Sequence, residues 1–341
     1  MSALKVAVVG AGYFSQFHYA SWRALPDVTC VGACDHDWRK AAATGLPAFE
    51  TLEAMLVQTT PDILDIVLPP DAHRTAIEAA LAAQVPTIIC QKPFCGDLAQ
   101  AQWVTDHAEA AGATLIVHEN FRFQPWYRAL RAALDANAIG QVHQMTFRLR
   151  PGDGQGPQAY IDRQPYFQRM ERFLVHETAV HWIDTFRYLF GDPIAVYADL
   201  RQMNAVIAGE DAGYIVFDHQ GGVRSLFDGN RSLDHAAENH RCTMGEALVE
   251  GTEGTLTLYG DGSLWRRRFG ETQTTPLFAA QAWDGFGGGC VDALQRHVVA
   301  ALRNKSTPEN TARSYLRVLE IEDATYRSAQ LGQKLALVGA P

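Results

Sequence analysis

Apolar positions recur along this chain in two rhythms, and the rhythm changes once. In the first third, short β-branched runs alternate with helix-like stretches. Residues 4–9 (LKVAVV) read as a strand ending in Gly10-Ala11-Gly12, followed by a helix-like segment over 13–25. A second strand is predicted over 28–34, ending at Asp35. A third, over 63–68, is stopped by Pro69-Pro70, and Asp71 is placed to cap the alanine-rich helix that runs to residue 83. Residues 87–91 form a strand halted by Pro93, 98–111 a helix and 114–118 a further strand. Strands alternating with helices imply βαβ crossovers and a parallel sheet covered on both faces.

After about residue 125 the apolar period shortens to two. A helix over 126–137 leads into QVHQMTFRLR, and alternating strands are predicted near 194–203, 212–218, 222–228, 242–250, 254–259 and 263–269. Gly-rich turns separate several of them, a pattern of antiparallel sheet. Segment 176–190 predicts a helix crossing that sheet, and 311–331 a closing helix. The expected architecture is an α/β domain over 1–122 and an α+β domain over 123–341 with one large, open, mostly antiparallel sheet. Its predicted helices are too few to cover both faces, so a homodimer or homotetramer formed through the bare face is expected.

Charge narrows the partners. The 29 basic and 38 acidic side chains leave a net charge of −9, which argues against nucleic acid or an anionic membrane surface. The densest basic run, Arg266-Arg267-Arg268, reads as a solvated sheet edge. No apolar run approaches the ~20 residues of a membrane span. The start of the chain enters a strand with no charged leader, so no signal peptide is expected and the expected location is cytoplasmic. Six cysteines without a CxxC pair read as buried, reduced thiols.

The first chemical signal is GAGYFS at 10–15, a GxGxxS run between a strand and a helix. In that context Gly10 permits a tight turn, and Gly12 lets the backbone approach a pyrophosphate seated on the helix N-terminus. Tyr13 and Phe14 complete the loop. A carboxylate at Asp35 can accept hydrogen bonds from a ribose and would repel a 2′-phosphate. No arginine directly follows it, so the expected cofactor is NAD rather than NADP. The first domain therefore reads as a Rossmann dinucleotide-binding domain. The GFGGG run at 285–289 lacks a preceding apolar strand and reads as a flexible approach to a helix, not a phosphate cradle.

Several motifs then fall into one order: GAGYFS, LPPDAH (68–73), CQKPF (90–94), NFRFQP (120–125), IGQV (139–142) and HETAVHWID (176–184). Together with SYLRVLEIEDATYRSAQLGQKLAL near the C-terminus, this ordered set resembles the glucose–fructose oxidoreductase / inositol dehydrogenase / MocA-type family over nearly the whole chain. The subgroup it most resembles is the branched-pentose, apiose-type dehydrogenases. The resemblance implies an NAD(P)-dependent dehydrogenase acting on a sugar, cyclitol or related polyol. The family's Glu-Lys-Pro signature appears as Gln91-Lys92-Pro93, and its Asp-x-Gly-x-His-x-x-Asp signature as Glu177 to Asp184, with Glu for Asp and Ala179 for Gly.

Oxidising an alcohol needs a base for the hydroxyl proton and positive charge near the oxygen as alkoxide character develops. His181 suits the base role at neutral pH, and Lys92, after a parallel strand, suits the charge. On a regular helix Glu177 and His181 share a face at i,i+4, and Asp184 continues the stripe. Glu177 is thereby a third catalytic candidate. It joins Lys92, His181, Asp184, Arg122 and Arg163 among the expected substrate contacts. Pro69, His73, Gln91, Lys92 and Asn120 are the remaining candidates near the cofactor. A zinc helix fails on spacing, because His176 and His181 diverge by about 500° around a helix. Two further functions fit the same motifs: an enzyme recycling tightly bound NAD during elimination or epimerisation, and a non-catalytic dinucleotide sensor. Retention of Lys92, Glu177 and His181 argues against the sensor.

Overall fold

The alternating first third folds as its pattern dictates, with β-branched runs buried between helices. The computed structural model describes residues 2–283 and 286–337, so Gly285 of the glycine run lies outside the described residues. The chain forms two compact units. The first holds the chain up to Asn120 together with Val291–Leu319, and the second holds Phe121–Cys290 and the chain from Glu320 on. The return of a C-terminal segment to the first unit leaves no mark in the apolar pattern.

In the first unit the chain runs β1 (Leu4–Val9), α1 (Ser15–Ala24), β2 (Val28–Cys34), α2 (Trp38–Ala43), β3 (Ala48–Phe49), α3 (Leu52–Thr59), β4 (Ile63–Ile66), α4 (Pro70–Ala82), β5 (Thr87–Gln91), α5 (Leu98–Ala110) and β6 (Thr114–His118). All six strands are parallel, in the order β3-β2-β1-β4-β5-β6. The order reverses between β1 and β4, the kind of switch point where open α/β sheets place ligands. Asp71 does not cap α4. Pro69 occupies the cap and Pro70 the first helical position, where a missing N–H costs nothing, and Asp71 sits in the first turn facing the helix dipole.

In the second unit α6 (Pro125–Asp135) precedes β7 (Val142–Leu149) and α7 (Val180–Phe190). Then come β8 (Pro193–Arg201), β9 (Ala212–His219), β10 (Arg224–Asn230), β11 (Gly245–Gly251), β12 (Gly254–Leu258), β13 (Leu264–Arg268) and β14 (Thr274–Phe278). Helix α8 (Cys290–Asn304) belongs to the first unit beyond Cys290. Helix α9 (Ala312–Leu331) is divided between the units, and β15 (Leu335–Ala336) follows it.

The sheet order is β14-β13-β12-β11-β7-β10-β9-β8-β15, antiparallel except where β7 and β10 run parallel. The arginine run on β13 is therefore flanked by β12 and β14 and is not an edge. Alternation along the strands buries Met145, Phe147 and Leu149, and Trp182 of α7 stacks on Phe147 at 4.3 Å. Tyr197, Tyr214 and Leu248 point the other way and are exposed. All six cysteines are free thiols, five of them buried. Among the described residues no helix is long and apolar enough to cross a membrane.

Candidate active site

The dinucleotide turn is built by close backbone packing. At Gly10 (φ +104) a Cβ would lie 2.1 Å from the Val67 carbonyl oxygen, so only glycine fits where the turn after β1 presses on the segment after β4. At Gly12 a Cβ would meet nothing within 4 Å, which leaves the backbone open to an approaching group. Asp35 is almost buried. Its Oδ2 accepts the Ala11 N–H at 2.7 Å, and its Oδ1 accepts the Asp37 N–H at 2.9 Å. The carboxylate is thus fixed beside the turn. Ser15 closes the first turn of α1 by donating to the Gly12 carbonyl at 2.7 Å, and no acidic side chain occupies that turn. An open Gly12 backbone, an uncluttered helix N-terminus and a fixed carboxylate together fit NAD.

Lys92 follows β5, and its loop is tied to a buried polar cluster in the same unit. Gln91 Oε1 accepts the Lys92 backbone N–H at 2.8 Å, and Gln91 Nε2 lies 3.1 Å from His18 Nε2. His18 Nδ1 lies 2.8 Å from Asp65 Oδ2, to which Trp22 Nε1 donates at 2.7 Å. Burial alone would push the Asp65 carboxyl up; the His18 ring and the Trp22 N–H outweigh it, and the pKa lies below its ordinary value. His118 stacks on His18 with ring centroids 4.2 Å apart, and burial drives its pKa down to about 3.

His73, a candidate for the cofactor edge, is fully buried. Its Nε2 meets the Leu68 carbonyl at 2.8 Å, and its Nδ1 accepts the Cys95 N–H at 3.2 Å, so the ring ties together the segments that follow β4 and β5. Burial lowers its pKa to about 4. Pro69 holds the cap of α4, Tyr13 is exposed beside Phe14 at the head of α1, and Asn120 is buried just beyond β6.

In the second unit the predicted helix over 176–190 is two structures. Leu174–Ala179 is a π-helical turn, and only Val180–Phe190 is α-helical. The cause is Glu210. Its carboxylate accepts the Phe173 and Val175 N–H groups at 3.2 and 3.0 Å, and its carbonyl accepts the Leu174 N–H at 2.9 Å. Outside partners thus satisfy N–H groups at the mouth of the helix, and the first turn widens. Glu177 lies in that turn, so the regular i,i+4 relation to His181 does not describe its surroundings. Its Oε2 accepts from Thr178 Oγ1 at 2.6 Å and lies 3.5 Å from Arg231 Nη1.

His181 lies flat on Phe121, with ring centroids 3.7 Å apart and planes within 4°. Asp184 is buried and receives a two-pronged contact from Arg122, with Nε donating at 2.8 Å and Nη2 to the second oxygen. His176 points elsewhere, with Nδ1 2.7 Å from Glu322 Oε1. Arg163 pairs with Asp153 at 2.9 Å.

The residue that organises this region, Arg231, gave no sequence signal. Its buried guanidinium contacts Asp153 at 3.0 Å, Tyr160 Oη at 2.7 Å and Thr178 Oγ1, and lies 4.9–5.0 Å from the Phe173 and Tyr160 ring centres. Burial opposes its charge; Asp153, Tyr160 and Glu177 more than offset that, so its pKa is raised. Asp153 resists the upward push of burial through Arg231 and Arg163, and its pKa is lowered.

Comparison with known proteins identifies the family. Residues 4–119 match the GFO/IDH/MocA oxidoreductase family with an NAD-binding Rossmann fold, and residues 127–257 match the GFO/IDH/MocA C-terminal domain. The D-apiose dehydrogenase of Paraburkholderia graminis is 36% identical over 98% of this chain and 89% of its own. That of Rhizobium rhizogenes is 28% identical over 98% and 97%. The crystal structure of an oxidoreductase from Agrobacterium radiobacter in complex with NAD+, L-tartaric acid and magnesium is 26% identical, with a TM-score of 0.88 over 98% of both chains. Family models that together span most of the chain, and a relative 36% identical over nearly all of it, show that this chain belongs to the GFO/IDH/MocA family of NAD-binding oxidoreductases.

Proposed function

We propose that the chain oxidises a hydroxyl of a sugar, cyclitol or related polyol, with the branched pentose D-apiose as the first compound to test. The observation that carries the substrate class is the likeness, along 98% of this chain, to a D-apiose dehydrogenase at 36% identity. Gly10, Gly12, Tyr13, Phe14, Asp35, Pro69 and Asn120 would hold NAD, with pyrophosphate over the Gly12 backbone and ribose at Asp35. When bound, the nicotinamide supplies the acceptor for the hydride that leaves the carbinol carbon. His181 takes the hydroxyl proton, and the Lys92 ammonium steadies the oxygen as it gains negative charge. Glu177, whose side chain is 16% exposed, serves as an acceptor for a second substrate hydroxyl. Arg122 and Asp184 brace the His181 helix, and Arg163 faces the substrate from the loop before it.

The test is a panel of aldoses and polyols incubated with NAD and purified protein, followed by NADH absorbance. Net NADH with D-apiose or a related sugar is expected, and turnover without net NADH would indicate recycled cofactor instead. Lys92→Ala and His181→Ala should each lower kcat at least ~100-fold, with NAD binding retained. Near-normal rates in both variants would remove the mechanism. Self-association through the sheet face that presents Tyr197, Tyr214 and Leu248 completes the proposal; a monomeric mass by light scattering would remove that part.

A further inference from the structure

The loop that carries Lys92 is held from inside the first unit by hydrogen bonds whose direction is fixed at one end. A backbone N–H can only donate. The Lys92 N–H, 2.8 Å from Gln91 Oε1, therefore settles which way round the Gln91 amide lies. The amide nitrogen then faces His18 Nε2 at 3.1 Å and needs a lone pair there. His18 must carry its proton on Nδ1, where it donates to Asp65 at 2.8 Å. His18, Trp22 and Asp65 are fully buried and Gln91 nearly so. The sequence runs Asp65, His18, Gln91, Lys92 N–H, with one proton between each neighbouring pair.

We propose that Gln91 is a positioning residue for Lys92, and that the Asp65–His18 pair demands an amide at this position rather than merely a side chain of its size. The inference rests on Lys92 acting at the reacting oxygen. A carboxylate of the same shape would set one acceptor against another across Gln91–His18 and lose the tie. The remedy is one added proton in a buried place. The titratable groups around it are Asp65 on β4, His118 on β6, and Cys90 and Lys92 flanking Gln91. Tyr19 on α1 and Cys30 on β2 also feel the Asp65 charge. Asp65 is the anion among those that contact His18, so uptake of that proton is favoured as the pH falls.

Wild type, Gln91→Glu, Gln91→Met and Lys92→Ala should be compared across about pH 6–9, using D-apiose or the fastest sugar of the panel. Loss of one positioned hydrogen bond corresponds to about a 10-fold fall in kcat. Relative to wild type, Gln91→Glu should show that fall near about pH 8 and recover towards acid pH. Gln91→Met should fall similarly at every pH, and both should bind NAD within about twofold of wild type. Histidine-selective nitrogen NMR of the cofactor-free protein gives an independent reading: a neutral Nδ1–H ring, assigned by its absence in His18→Gln.

A Gln91→Glu variant with the wild-type kcat and pH profile, beside an inactive Lys92→Ala, would overturn the positioning role and leave the Lys92 reading intact. An active Lys92→Ala would remove both. A His18 ring protonated on Nε2 would overturn the tautomer on which the inference stands. Should Gln91→Glu not fold, an unchanged kcat in Gln91→Met overturns the proposal, and a reduced kcat with intact NAD binding supports it.

Discussion

Each unit buries a polar centre, and the two are solved in opposite ways. The first unit surrounds one carboxylate, Asp65, with ring and amide nitrogens: those of His18 and Trp22 and, at 3.4 Å, Gln295. The second surrounds one guanidinium, Arg231, with the carboxylates of Asp153 and Glu177 and the aromatic rings of Tyr160, Phe167 and Phe173. The first centre is directional, because each proton has one place to be. The second is held mainly by opposite charge, which tolerates small shifts in angle but not the loss of a partner. A hydrogen-bonded chain therefore suits the fixing of a backbone, and a caged ion pair suits the clamping of a widened helical turn.

The largest expected effect breaks the ionic side of this comparison. Arg231→Met should destabilise the protein by roughly 3–5 kcal/mol, the cost of leaving a buried charge without its partner. Adding Asp153→Asn to Arg231→Met should return part of that loss. Denaturant unfolding of the two singles and the double measures the coupling, and strict additivity would mean that the pair is not the clamp.

A smaller effect tests the first unit through pH. His73 and His118 have folded pKa values of about 4 and about 3, against an ordinary 6.5. The unfolded chain takes up their protons first, so their contribution is intact above about pH 6.5 and is lost as pH falls towards those folded values. At about pH 5 each should cost roughly 1–2 kcal/mol. Asp153 of the second unit, with a pKa already below 3.8, should add its loss only in stronger acid.

The smallest expected change sharpens the same point at one ring. Neither His118 nitrogen has a hydrogen-bond partner among the described residues. His118→Phe keeps an aromatic ring against His18 and removes a titrating group. It should change stability at neutral pH by less than about 1 kcal/mol while flattening the loss near about pH 5. An acid limb identical to wild type would show that His118 does not contribute to it.

The first centre was more legible in the sequence than the second. The strand β1, its glycine turn and Asp35 are local features whose meaning travels with their spacing. Asp65 inside the core strand ILDI demands a buried donor, and His18 and Trp22 sit one helical turn apart on α1, so their association could have been inferred. Arg231 meets Asp153 and Glu177 across 78 and 54 residues of sequence, and no local period encodes such a meeting. The π turn was equally hidden, since it depends on Glu210 arriving from another segment. The parallel β7–β10 pair within an otherwise antiparallel sheet escaped for the same reason, because alternation specifies which face a residue takes but not strand direction.

The flat contact between the Phe121 and His181 rings has a kinematic consequence. An imidazole lying on a phenyl surface has that face covered, so it meets donors and acceptors through its rim. Turning part-way about the Cβ–Cγ bond would break the contact, so Phe121 fixes the plane in which the ring lies. Any hydrogen ion gained on one nitrogen must accordingly leave through the plane of the ring, along a line that Phe121 sets.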